Sequence, residues 1–253
     1  MQPGEILAGR FEIERRAGSG GMGQVYKARD LGSGEAVAIK VLLEGHANAR
    51  FAREAEGLSE LHHPGIVRYV AHGETSAGEL FLAMEWLEGE DLASRILRCG
   101  LTTTETITLG KRVAEALAAA HRRGVVHRDL KPSNIFLVDK DVTQVTILDF
   151  GIARFGDAAR MTQTGVVLGT PGYMAPEQAR GGSDIDARVD VFALGCVLFE
   201  CLTGSPAFAG DHFMAILAKI LFQVPPRVHE LRPEAPADLD ALVARMLSKD
   251  PDA

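Results

Sequence analysis

Apolar and polar positions change their period near residue 85. From residue 11 to 43 the period is two. Gln24 to Ala28 alternates after a glycine-rich turn at 18–23, and Ala36 to Leu42 is rich in Val and Ile, so this stretch reads as strands. Residues 46–61 switch to helical spacing, with Phe51, Ala55, Leu58 and Leu61 on one stripe. Strands return at 66–73 and 79–86. A connector begins at Glu85-Trp86-Leu87-Glu88-Gly89, and beyond it the pattern turns helical. Thr102 or Thr103 caps a helix running to about Arg123, and Gly124 ends it. Its interior, Val113 to Ala120, strongly favours helix. Short strands follow at 135–138 and 145–149, then helices at 188–203, 211–223 and 236–249.

These elements predict an α+β architecture: a small β-rich lobe with one long helix over about 1–84, a hinge over about 85–91, and a larger mainly α-helical lobe over about 92–253. A cleft at such a junction is a favoured ligand site. With 46% hydrophobic and 24% charged residues, the composition is that of a soluble globular protein. The net charge of −7 argues against a nucleic-acid partner. It does not argue against an anionic small molecule, because local lysines and bound cations decide that. Cys99, Cys196 and Cys201 have no C-x-x-C spacing and are odd in number, so no disulfide framework is expected. Cys196 and Cys201 lie in an apolar run and read as buried small hydrophobes. No apolar run reaches the roughly 18 residues of a membrane span, and residues 1–10 lack a signal-peptide pattern. A cytoplasmic location is expected; a membrane anchor beyond Ala253 is compatible with it.

The chemistry concentrates at His127-Arg128-Asp129-Leu130-Lys131-Pro132-Ser133-Asn134 and at Asp149-Phe150-Gly151. One carboxylate, Asp129, can orient a hydroxyl. Lys131 can neutralise a phosphate. Asn134 and Asp149 can hold magnesium, which takes oxygen ligands and usually shares them with substrate phosphates. These are the parts of phosphoryl transfer. Upstream, Gly18-Ser19-Gly20-Gly21-Met22-Gly23 matches G-x-G-x-x-G. A dinucleotide fingerprint needs a helix after the glycines. Here a strand follows, so they turn a hairpin whose backbone can approach phosphates. Lys40, ending Val37-Ala38-Ile39-Lys40, suits the α- and β-phosphates; Glu54 is its expected partner, with Glu56 and Glu60 as competitors. Thr162 and Thr164 sit within the 28 residues from Asp149 to Glu177. Phosphorylated, they would carry charge that Arg128 can pair with, ordering the loop.

Together these motifs, in this order from Phe11 onward, resemble a protein-kinase catalytic domain. Lys131-Pro132 and Gly169-Thr170-Pro171-Gly172-Tyr173 are similar to serine/threonine kinases. Met161-Thr162-Gln163-Thr164 and Ala175-Pro176-Glu177-Gln178-Ala179-Arg180 most resemble bacterial kinases of the eukaryotic type. The resemblance implies a two-lobed fold and an ATP site. Gly18, Ser19, Gly20 and Gly23 would cover the phosphates. Val25 and Ala38 would lie above adenine and Phe136 below it. Met84 would be the gatekeeper, Glu85 and Leu87 would offer backbone hydrogen bonds, and Asp91 would contact ribose. It also implies that Leu58, Tyr69, His127 and Phe150 stack as a spine, that Asp190 anchors the catalytic loop, and that Thr170 contacts Asp129 and Lys131. Glu177 is expected to want an arginine lying past Ala253, so the domain is expected to be cut short.

The expected function is transfer of the γ-phosphate of Mg–ATP to protein serine or threonine hydroxyls, with manganese as a substitute ion and activation-loop autophosphorylation, through self-association, as the switch. An inactive pseudokinase scaffold is the alternative; such proteins usually lack Lys40, Asp129 or Asp149, and all three stand here. A small-molecule phosphotransferase is a third reading, disfavoured by the Ala-Pro-Glu segment.

Overall fold

The computed structural model describes residues 1–20, 23–42, 57–150, 171–182 and 185–252. They fall in two compact units, one within Met1–Glu88 and the other within Gly89–Gly151 and Thr170–Ala253.

The first unit is built on six antiparallel strands: β1 (Ile6–Leu7), β2 (Phe11–Gly20), β3 (Gly23–Asp30), β4 (Ala36–Leu42), β5 (Tyr69–Glu74) and β6 (Leu80–Glu85), in the order β1-β2-β3-β4-β6-β5. Period-two alternation sorts its faces. Tyr26, Ala28, Val37, Ile39, Val41, Phe81 and Ala83 fill one core with Phe11 and Ile13. On the opposite face, Leu42, Leu80 and Leu82 form a second cluster that Leu58 and Tyr69 pack against. The hairpin between β2 and β3 closes with Gly20 opposite Gly23. Gly23 has φ +149°, and a Cβ there would lie 2.0 Å from the Val41 carbonyl oxygen, so only glycine fits. Of the expected helix at 46–61, only residues 57–61 are described.

The second unit opens with β7 (Gly89–Asp91), α1 (Leu92–Cys99) and α2 (Thr103–His121). Thr102 caps α2 in a reciprocal box with Glu105. β8 (Ile135–Val138) and β9 (Val145–Ile147) join β7 in a three-stranded sheet. The helices α3 (Pro176–Ala179), α4 (Arg188–Thr203), α5 (Phe213–Phe222), α6 (Val228–Leu231) and α7 (Ala237–Met246) complete it. α4 is apolar nearly all round and is the unit's centre, burying Phe192, Val197, Leu198, Phe199, Cys196 and Cys201. Gly204, at φ +73°, caps its end. No helix among the described residues is long and apolar enough to cross a membrane.

Candidate active site

In the sheet unit, register decides which groups share a face. Val25 pairs with Lys40, Lys40 with Leu82, Lys27 with Ala38, and Ala38 with Met84. Partners across a ladder point the same way. Val25, Ala38, Lys40 and Met84 therefore line the face opposite the main core. Lys40 is only 7% exposed on that face. Gly18 and Ser19 are exposed in the hairpin above it. Glu54, the partner expected for Lys40, lies outside the described residues.

The connector that leaves β6 is fastened on its outer side. The Glu85 amide donates to the Arg68 carbonyl at 2.9 Å, and the Glu85 carboxylate accepts from the Arg68 amide at 2.7 Å. The Trp86 amide donates to the Ala36 carbonyl at 3.3 Å. The next amide, that of Leu87, donates to no group among the described residues. An ordered, unpaired backbone donor is what an adenine edge requires.

In the helical unit a buried acid organises the loop. Asp190, on the first turn of α4 and fully buried, accepts from the amides of His127 and Arg128, both at 2.8 Å. His121 Nε2 lies 2.7 Å from Oδ2, the oxygen that also takes the His127 amide. Arg128 sits at φ +65°, a left-handed conformation that costs a non-glycine residue energy. It is held there from both ends: Asp190 takes its amide, and Gln178 Nε2 donates to its carbonyl at 3.0 Å.

His127 is the next post. Its Nε2 donates to the Leu148 carbonyl at 2.8 Å, and its Nδ1 accepts from the Asp129 amide at 3.2 Å. Both nitrogens are satisfied in the neutral ring, and complete burial pushes its pKa down. The ring packs on Phe150 at 4.7 Å. With its backbone fixed this way, Asp129 receives Lys131 Nζ at 2.9 Å on its carboxylate. Asn134 Nδ2 donates to the Asp129 carbonyl at 2.8 Å and to its carboxylate at 3.3 Å. Asp129, Lys131 and Asn134 thus form one bonded set.

Asp149 is brought in by strand register. Ile135 pairs with Ile147, and the Leu148 amide donates to the Asn134 carbonyl at 2.8 Å. Asn134 and Asp149 therefore stand at adjoining ends of β8 and β9. Since the Asn134 nitrogen is committed to Asp129, its Oδ1 is left as an acceptor. An amide oxygen beside a carboxylate is a hard, all-oxygen donor set that fits magnesium. Among the described residues no three His, Cys, Asp or Glu side chains gather into a metal cage. A two-residue site of this kind would hold the ion together with substrate oxygens.

Phe136 is half-buried on β8, opposite Asp91. The Asp91 carboxylate caps α1, accepting from the Ser94 amide at 2.8 Å. Glu177, on α3, borders a cavity of about 520 Å³ with Arg188 and Arg245 and makes no ion pair among the described residues. Thr162, Thr164 and Thr170 lie outside the described residues. The sequence pointed to Asp190 but not to His121 or Gln178. Their bonds to Asp190 and Arg128 join segments 69 and 50 positions apart, a distance no local period encodes.

A family model for the protein kinase domain matches residues 11–253. The chain is 38% identical to the serine/threonine-protein kinase pkn3 of Myxococcus xanthus, over 98% of its own length and 48% of that protein. It is 39% identical to PknB of Mycobacterium leprae, over 97% of its length and 41% of that protein. The chain thus spans less than half the length of these curated relatives. Among solved structures, a complex of Rad53 with AMP-PNP superposes with a TM-score of 0.79 at 26% identity, covering 96% of this chain and 62% of that one. With the loop geometry above and a family match over nearly its whole length, the chain belongs to the protein kinase domain family.

Proposed function

We propose that the chain transfers the γ-phosphate of Mg–ATP to serine or threonine hydroxyls of proteins. The observation that carries this is the bonded set of Asp129, Lys131 and Asn134, on a backbone pinned by Asp190. Asp129 orients the incoming hydroxyl and accepts its proton late, since the transition state is loose. Lys131 balances charge on the moving phosphoryl group. Lys40, with Glu54 as its partner, meets the α- and β-phosphates, and Gly18, Ser19, Gly20 and Gly23 cover them. Val25, Ala38, Met84 and Phe136 enclose adenine, the backbone of Glu85 and Leu87 reads its edge, and Asp91 takes the ribose. Asn134 and Asp149 hold magnesium, or manganese in its place, which neutralises phosphate oxygens. The names of pkn3 and PknB support serine/threonine specificity, as does Lys131-Pro132.

Regulation belongs to the same proposal. Autophosphorylation of Thr162 and Thr164, in trans between two copies, supplies charge for Arg128. The setting is the cytoplasm.

Radiolabel transfer from ATP to a serine/threonine substrate, with Asp129→Asn as control, is the test. Wild type labels the substrate, and the variant falls by at least about a hundredfold. Equal labelling by both would remove Asp129 from its role. Nucleotide binding without any turnover would make the chain a scaffold.

A further inference from the structure

Four side chains that the proposed reaction does not use converge on the connector. Trp86, the only tryptophan of the chain, donates its indole N–H to Glu88 Oε1 at 2.7 Å. The same oxygen accepts from Lys27 Nζ at 3.3 Å. Lys27 Nζ also stands 5.0 Å from the indole centroid, and the Arg15 guanidinium carbon stands 5.5 Å from it. One ring is thus held by two cations and one carboxylate.

Strand register makes this arrangement pointed. Arg15 and Lys27 are direct partners across β2 and β3. Like charges directly opposite each other destabilise a ladder. Arg15 comes to that position only because the register shifts between Ile13 and Arg15. Without the bulge, Arg15 would share the face of Ile13, which is buried in the main core. Bulges re-aim side chains in this way. The bulge brings Arg15 to the face of Lys27, Ala38 and Lys40, where an indole and a carboxylate offset the repulsion.

We propose that Arg15, Lys27 and Glu88 are positioning residues that act through Trp86 on the connector backbone. They hold Trp86 and Glu88, the neighbours of Leu87 on its two sides, while Arg68 fixes Glu85 one position before Trp86. The Leu87 amide, unpaired among the described residues, is thereby held at a set angle for adenine. This rests on the ATP reading above and gives Trp86 the further property of reporting on the connector.

The test uses the whole 253-residue chain. The double variant Arg15→Met, Lys27→Met is compared with wild type by tryptophan emission, acrylamide quenching and ATP kinetics. Loss of the clamp shifts emission and raises quenching. The KM for ATP rises about three- to tenfold while kcat stays within about twofold, matching one to two lost cation–π contacts. The conservative exchange Arg15→Lys, Lys27→Arg keeps the wild-type KM. An emission shift with unchanged KM would overturn the positioning role and leave the kinase reading standing. Unchanged emission would overturn the clamp itself. Failure of wild type to bind Mg–ATP in a calorimetric titration would overturn the ATP reading and the positioning role with it, whatever the emission shows.

Discussion

Lys40 and Asp129 reach their positions by opposite means. Lys40 stands in the middle of a regular sheet, where every neighbour is set by ladder register. Asp129 stands in an irregular loop whose backbone is held by two side chains from elsewhere, Asp190 and Gln178, and by His127 from within the loop. Register is distributed over many bonds, so the sheet position tolerates loss of any one. The loop position depends on a few polar bonds, and each is worth more because it is buried. Single substitutions should therefore separate chemistry from stability in the sheet unit and merge them in the helical unit.

Asp190→Ala should have the largest effect. It leaves the amides of His127 and Arg128 without an acceptor and Arg128 in a left-handed conformation with one of its two supports gone. Unfolding in urea should show a loss of about 3 kcal/mol, at 1–3 kcal/mol per unsatisfied buried donor, and phosphoryl transfer should fall more than about a hundredfold. A variant that kept wild-type stability would break the contrast.

Lys40→Met should behave differently. Transfer should again fall by about a hundredfold or more, yet the urea midpoint should correspond to a change within about 1 kcal/mol, because an apolar chain of similar length fits among Val25 and Leu82. Loss of activity through unfolding would place Lys40 in the structure and not in the chemistry.

A pH series sharpens the contrast further. Burial lowers the His127 pKa below its ordinary value near 6.5. Below that value the unfolded chain binds a proton that the folded chain refuses, so stability should fall as pH drops from about 7 to about 5. The slope should flatten in His127→Asn. A slope independent of this substitution would mean that another group carries it.

The smallest effect is expected at Lys249. Its Nζ is buried without a hydrogen-bond partner among the described residues and lies 4.0 Å over the Phe208 ring. Burial lowers its pKa from 10.5 to about 8. Between those values the unfolded chain holds a proton that the folded chain has released, so stability rises with pH across that window. Lys249→Met should gain up to about 1 kcal/mol near neutral pH, with the gain shrinking as pH rises past 8, read from thermal midpoints.

How legible these two regions were in the sequence follows from the same difference. Strand β8 and helix α4 stand where alternation and apolar spacing put them, at 135–138 and 188–203. That Ala38 and Lys40 share a face follows from period two alone; Val25 joins them only through the register of β3 on β4. Strand β5 begins at Tyr69 and not at residue 66, because the Ile66 amide bonds the His63 carbonyl and closes a turn first. Helix α1 spans only eight residues and buries only Leu92, too short a run for its period to be read. Asp129, Lys131, Asn134 and Asp149 were visible as a motif with known chemistry. The supports of that motif were not, since His121 and Gln178 meet it only through tertiary folding. Arg15 was hidden for another reason: a one-residue register shift reverses the face that alternation assigns to it.

The central claim is that oxygen ligands at Asn134 and Asp149, the Asp129–Lys131 pair and Lys40 serve one phosphoryl transfer. Mass spectrometry of the purified chain after incubation with Mg–ATP, beside Asp149→Asn treated alike, tests it most directly. Wild type should gain phosphoryl groups on serine or threonine, Thr162 and Thr164 among them, only when magnesium or manganese is present, and the variant should gain none. Equal incorporation by both proteins, or none by wild type with either magnesium or manganese, would contradict it.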